Sequence, residues 1–126
     1  MMWSVPPSKF VDVVVDDLDR LYRGFAITIL NNLILRSPVD TGRYRANHIL
    51  SFGAPDDAVR FELDKSGSAT LAAGIAVLSS IPHGKFPIIH IQNNLPYAES
   101  LENGSSKQAP AGVYSLAFAS AVAAYT

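Results

Sequence analysis

From Val11 onward, apolar residues recur at steps of three and four: Val11, Val14, Leu18, Leu21, Tyr22, Phe25, Ile29 and Leu33. That spacing places them on one stripe and predicts a single long helix from about Ser8 to Arg36. Pro6 and Pro7 precede Ser8, a residue suited to capping, and Asp12, Asp16 and Asp17 lie toward the positive end of the helix dipole. Arg36 lies at the negative end, and Pro38 disfavours helical geometry at Ser37. Such a helix runs roughly 40 Å, more than a compact domain of this size needs. A second apolar set, Val13, Val15, Ile27, Leu30 and Ile34, widens the stripe to two sides. A helix of that kind is either wrapped by its own sheet or shared between chains, and the short chain favours sharing.

Beyond Pro38 the pattern alternates and the segments shorten. His48 to Phe52 and Ala58 to Leu63 read as strands on either side of the turn residues Gly53 to Asp57, which predicts a hairpin. Ser68 to Ser80 suits a helix by its alanine and leucine, while Gly74 and the β-branched residues leave a strand open. Phe86 to Gln92 reads as a strand, and Pro96 to Asn103 as a short helix closed by Gly104. In the tail, Tyr114, Leu116 and Phe118 alternate as in a strand, and a short turn or helix is expected after them. One long helix followed by strands without βαβ alternation predicts an α+β fold. The long helix packs on a mostly antiparallel sheet, with one or two short additional helices.

The chain has 126 residues, enough for one domain and one hydrophobic core. Charged residues are only 17% of it and hydrophobic residues 48%, a balance suggesting that a partner covers some apolar surface. The net charge of −1 gives no general attraction to phosphate. Arg20, Arg23 and Arg36 form no tight stripe and are offset by Asp12, Asp16, Asp17 and Asp19, so a nucleic-acid-binding regulator is the weaker alternative. No cysteine is present, which excludes disulfides and thiolate chemistry. Met1 to Pro7 lacks the pattern of a signal peptide, and no stretch reaches the roughly 20 apolar residues of a membrane span. A soluble protein is expected.

Catalytic residues are not evident. His48, His83 and His90 lack metal-binding spacing and are expected at the surface or an interface. No serine stands in a G-x-S-x-G elbow; Gly104, Ser105 and Ser106 lack the flanking strand and helix. There is no Walker A sequence, no G-x-G-x-x-G and no carboxylate pair with a plausible general acid. Neither an enzyme activity nor a cofactor is expected.

Two segments carry residues that propensity leaves unexplained. One is Ser37-Pro38-Val39-Asp40-Thr41-Gly42-Arg43-Tyr44-Arg45. The other runs from Ile91 and Gln92 through Asn93-Asn94-Leu95-Pro96-Tyr97-Ala98 to Glu102, Gly104, Ser106 and Pro110. In order and spacing they resemble the tail-completion, or head–tail joining, family of long-tailed bacteriophages. That family has a P-V-D-T-G-x-x-R turn after an N-terminal helix and an N-N-x-P-Y-A-x-x-x-E-x-G-x-S segment before a terminal A-P. The chain departs from the family in the aromatic expected shortly after the first motif, for which Tyr44 and Phe52 are the nearest candidates. Ala54 to Ile81 has no counterpart.

The residues have physical roles apart from the resemblance. Pro38 stops the helix, Asp40 can accept bonds from the following amides, and Thr41-Gly42 completes the turn, with Gly42 permitting a positive φ or a close backbone approach. The turn is expected to send Arg43 and Arg45 into the first strand. Asp40 is either a plain turn residue or an ion-pair partner of these arginines within or between subunits. Asn93 and Asn94 can bond backbone groups at a strand end, Pro96 suits a first helical turn, and Tyr97 is read as a core tyrosine or a partner contact. The loop from Gly104 to Pro110 is the better contact for another protein.

The resemblance implies a structural virion protein of the neck, assembled in the host cytoplasm. It would form a ring with itself, a hexamer preferred and a dodecamer the alternative. Its neighbours would be a head-completion or connector protein and a tail terminator or tail tube protein, with genomic DNA passing through the lumen unbound. A tail terminator ring capping the tube is the alternative at another level of the same stack.

Overall fold

The computed structural model describes residues 7–38, 41–96, 98 and 112–125. Helix α1, Pro7–Arg36, is followed by the short turn of helix α2, Arg43–Ala46, and strand β1, His48–Phe52. Helix α3, Ser68–Ser79, strand β2, Ile89–Asn93, and helix α4, Tyr114–Ala124, complete the order. The class is α+β, with a long N-terminal helix, a two-stranded antiparallel sheet and a few short helices. The long helix starts at Pro7, so Ser8 lies within its first turn instead of capping it, and a proline there gives up an amide that has no intrahelical partner anyway.

Only the second half of α1 is enclosed. Ala26, Leu30 and Ile34 pack with Leu50 of β1, Leu78 of α3 and Ile81 beyond it. Around the helix, Leu33 packs with Tyr44, Leu95, Val113 and Ala117. The helix is thus held between α3 and the sheet on one side and α4 on the other. Ala117 and Ala121 are fully buried at a spacing of four, and these small side chains bring α4 close to α1. Gly74 resolves the ambiguity of its segment: it stands in a helix where an added Cβ would run into Leu30 of α1, so the glycine serves helix–helix approach.

Several sequence expectations are corrected. β1 pairs with β2, in the register His48 with Asn93 through Phe52 with Ile89, and not with Ala58 to Leu63. That stretch makes no ladder because its backbone is used otherwise: Asn47 accepts from the Arg60 amide at 2.7 Å and donates to the Arg60 carbonyl at 3.1 Å. The second strand starts at Ile89, after Phe86, and the tail from Tyr114 is a helix with no strand. Arg43 and Arg45 stand in α2 and precede the strand. The expected helix at Pro96 to Asn103 falls almost wholly outside the described residues.

Candidate assembly surface

The first motif builds a turn locked onto a distant loop. Gly42 has φ 87°, and its carbonyl accepts from Ala46 N at 3.0 Å and Asp64 N at 3.1 Å. A Cβ at this position would lie 2.6 Å from Lys65 N and 2.9 Å from Asp64 N. Glycine is therefore required twice, for the left-handed backbone and for the approach of another chain segment. Thr41 accepts from the Arg43 amide through its hydroxyl, and Arg45 donates to the Lys65 carbonyl at 2.5 Å. Pro38 is half-buried and Arg43 exposed; Asp40 lies outside the described residues.

The second motif closes on the first. Asn93 donates to the Tyr44 carbonyl at 2.9 Å, and its side-chain oxygen accepts from Leu95 N, so the end of β2 is fastened to α2. Asn94 donates to the carbonyls of Asp56 and Ala58, and Gln92 to the Asp57 carboxylate, which holds the loop after β1. Ala98 packs against the second core cluster and Pro96 is exposed. Tyr97, Glu102, Gly104, Ser106 and Pro110 lie outside the described residues.

His48, expected at the surface, is buried at 1% exposure. Its Nε2 is 2.6 Å from the Ser37 hydroxyl and its Nδ1 is 2.8 Å from the Tyr114 hydroxyl, while Ser37 donates to the Leu33 carbonyl. These bonds are mutually consistent with one neutral tautomer, in which Nε2–H donates to Ser37 and Nδ1 accepts from Tyr114. Burial, with Arg45 adding to it, pushes the imidazole down to about 3. Although a serine beside a histidine has the parts of a nucleophile and base, this serine is itself buried and spends its proton on a carbonyl. The trio ties the end of α1 to β1 and α4.

On the opposite side of α1, Arg23 donates to Asp19 at 2.8 Å and to the carbonyls of Leu78 and Ile81, satisfying the C-terminal end of α3. The Arg23 bond, and then the Gly84 amide, hold the Asp19 carboxyl below its ordinary value. His83 stands 2.6 Å from Asp16 and 3.4 Å from Asp19 at this edge. At the other end of α3, Asp64 accepts from Gly67 N, Thr70 N and the Thr70 hydroxyl. Burial works against its charge, but these bonds outweigh it and keep the carboxyl low. In the sequence Asp19 reads only as a charge offsetting the helix arginines, and Asp64 is not singled out. The cluster of Asp, Ser and Thr from Asp64 to Thr70 was the available signal for one of them.

What remains is a broad apolar face. Val11, Val14, Leu18 and Leu21 of α1 are exposed at 58%, 41%, 49% and 54%. The stripe of the first half of α1 thus lies in solvent. It runs into a groove of about 520 Å³ between α1 and α4, lined by Leu18, Leu21, Tyr22, Phe25, Phe86, Val122 and Tyr125. The α4 helix carries no charged residue, and Phe118, Val122 and Tyr125 stay exposed on it. Single exposed apolar residues are ordinary, but a contiguous face of this kind marks a contact surface. Among the described residues no helix is long and apolar enough to cross a membrane, and no group of three or more metal-ligating side chains comes together.

Compared with known proteins, the chain matches no family model, no curated protein and no solved structure.

Proposed function

We propose that this chain is a structural ring subunit at the head–tail junction of a long-tailed bacteriophage. The observation that carries the proposal is the contiguous exposed apolar face of α1 and α4, which a lone chain leaves in water. A surface of that chemistry is suited to permanent association. The motif resemblance supplies the place, and its described residues are joined: the end of the Gly42 turn at Tyr44 accepts from Asn93 of the second segment.

On this reading identical subunits close a ring through a heterologous interface, six-fold by preference and twelve-fold as the alternative. One face of the ring meets a head-completion or connector protein and the other the tail terminator or tube. DNA passes through the lumen, which carries few lysines or arginines and so does not retain it.

The test is electron microscopy of particles assembled with and without a nonsense codon in this gene. Filled heads and complete tails that fail to join are the expected result, with ring density at the neck of normal particles. Tails lacking a finished head-proximal end would move the ring to the terminator level. Normal infectious particles would refute the structural role.

A further inference from the structure

The two ends of α1 differ in charge. Residues 9–20 carry Asp12, Asp16, Asp17 and Asp19 against Lys9 and Arg20, whereas residues 36–45 carry Arg36, Arg43 and Arg45 against Asp40. Asp12 and Arg36 lie at opposite ends of the helix, roughly 36 Å apart at 1.5 Å per residue, so these poles cannot satisfy each other within one copy. Among the described residues, the ion pairs all involve the acidic half: Arg20 with Asp17, Arg23 with Asp19, and His83 with Asp16 and Asp19. Arg36, Arg43 and Arg45 meet no carboxylate within 4 Å among those residues. Each pole also presents apolar surface, Val11 and Val14 at the acidic end and Leu35, 67% exposed, at the basic end.

We infer that copies of this chain associate head to tail, with the aspartate-bearing first half of α1 in one copy seated against the arginine-bearing end of α1 in the next. A twofold contact joining like ends would set aspartates against aspartates or arginines against arginines. An antiparallel twofold pair would match both poles but end at a dimer, whereas head-to-tail contact sets each pole against its opposite and leaves one of each free for the next copy. The inference deepens the ring proposal and rests on it for closure of the ring; the pairing of surfaces itself follows from the charge placement.

The test uses the full chain and two charge-reversed variants, Asp12→Arg/Asp17→Arg and Arg36→Glu/Arg43→Glu, with mass followed by analytical ultracentrifugation at low salt. All four residues are exposed, and melting curves check that each variant is folded. The wild-type chain self-associates, and each variant alone does so at least about tenfold more weakly, since like poles now meet. An equimolar mixture regains association, because in the head-to-tail contact the reversed end of each variant meets the oppositely charged reversed end of the other, and the unaltered ends likewise match. Should Arg36→Glu/Arg43→Glu fail to fold, Leu35→Glu takes its place and must weaken association as strongly. A wild-type chain that stays monomeric or stops at a dimer at roughly 100 µM, a variant that associates like the wild type, or a mixture no better than its components overturns the inference. The outcomes separate from those of the particle experiment: a phage without joined heads whose purified subunit ignores charge reversal refutes the head-to-tail contact alone.

Discussion

Replacing Gly42 with alanine separates two reasons for a glycine, because Gly53 provides an internal control. Both have a left-handed backbone, φ 87° and 81°. A Cβ at Gly53 meets nothing within 4 Å, whereas one at Gly42 would press on the backbone of Asp64 and Lys65 at 2.6 to 2.9 Å. The left-handed conformation alone costs a non-glycine residue about 1 kcal/mol. At Gly42 the neighbouring backbone must also shift and strain or break the bond from Asp64 N, adding about 2 kcal/mol. Gly53→Ala should therefore lose about 1 kcal/mol and Gly42→Ala about 3 kcal/mol in urea unfolding of the full chain. At about 4 °C per kcal/mol for a chain of this size, the melting temperatures fall by about 4 °C and 12 °C. Equal losses at the two positions would show that the approach of residues 64 and 65 contributes nothing.

Further consequences follow from the buried polar groups. The folded pKa of His48 is depressed to about 3, so its contribution is fully present above the unfolded value near 6.5 and is lost as pH falls from there toward 3. Stability should drop by about 2 kcal/mol between pH 6.5 and 4.5, and His48→Gln should flatten that slope; parallel curves would refute the assignment. The low carboxyls of Asp19 and Asp64 act at the acid edge of that range, losing their contribution as pH falls below the ordinary carboxylate value. Asn47→Ala removes three bonds, to the Arg43 and Arg60 carbonyls and from the Arg60 amide, at a cost of about 3 kcal/mol. Hydrogen exchange at Arg60 should accelerate, and unchanged protection would refute the tether. Arg23→Met removes the side-chain donor to the Leu78 and Ile81 carbonyls, of which Leu78 keeps the Ile81 amide, and should cost about 2 kcal/mol, with exchange rising in the last turn of α3.

The sequence was most informative where a period ran long. The 3.6-residue stripe located α1 almost to the residue, and the run from Phe86 to Gln92 located β2, three residues early at its start and one short at its end. It failed where a distant side chain took over a backbone. Ala58 to Leu63 has the residues of a strand, yet Val59, Phe61 and Leu63 face solvent because Asn47 occupies the Arg60 amide and carbonyl. In the tail, the alternation of Tyr114, Leu116 and Phe118 hid the spacing of Ala117 and Ala121, whose small size governs contact with α1. His48 sits in a strand, and its sequence neighbours do not reveal the hydroxyls of Ser37 and Tyr114 that admit it to the core. The turn chemistry around Gly42 was local and readable; the segment it grips, Asp64 and Lys65, was not.

In the first two turns of α1, residues 8–14, each residue whose side chain is described is exposed, and among the described residues nothing covers them. Their helical form is inherited from the anchored half, which supplies the nucleus that a short isolated helix lacks. Substitutions in these turns that respect helix propensity therefore scarcely alter whether the chain folds, while they decide what it adheres to. Folding and association draw on different stretches of one continuous helix. Selection is thus free to reshape the contact without reopening the question of the fold.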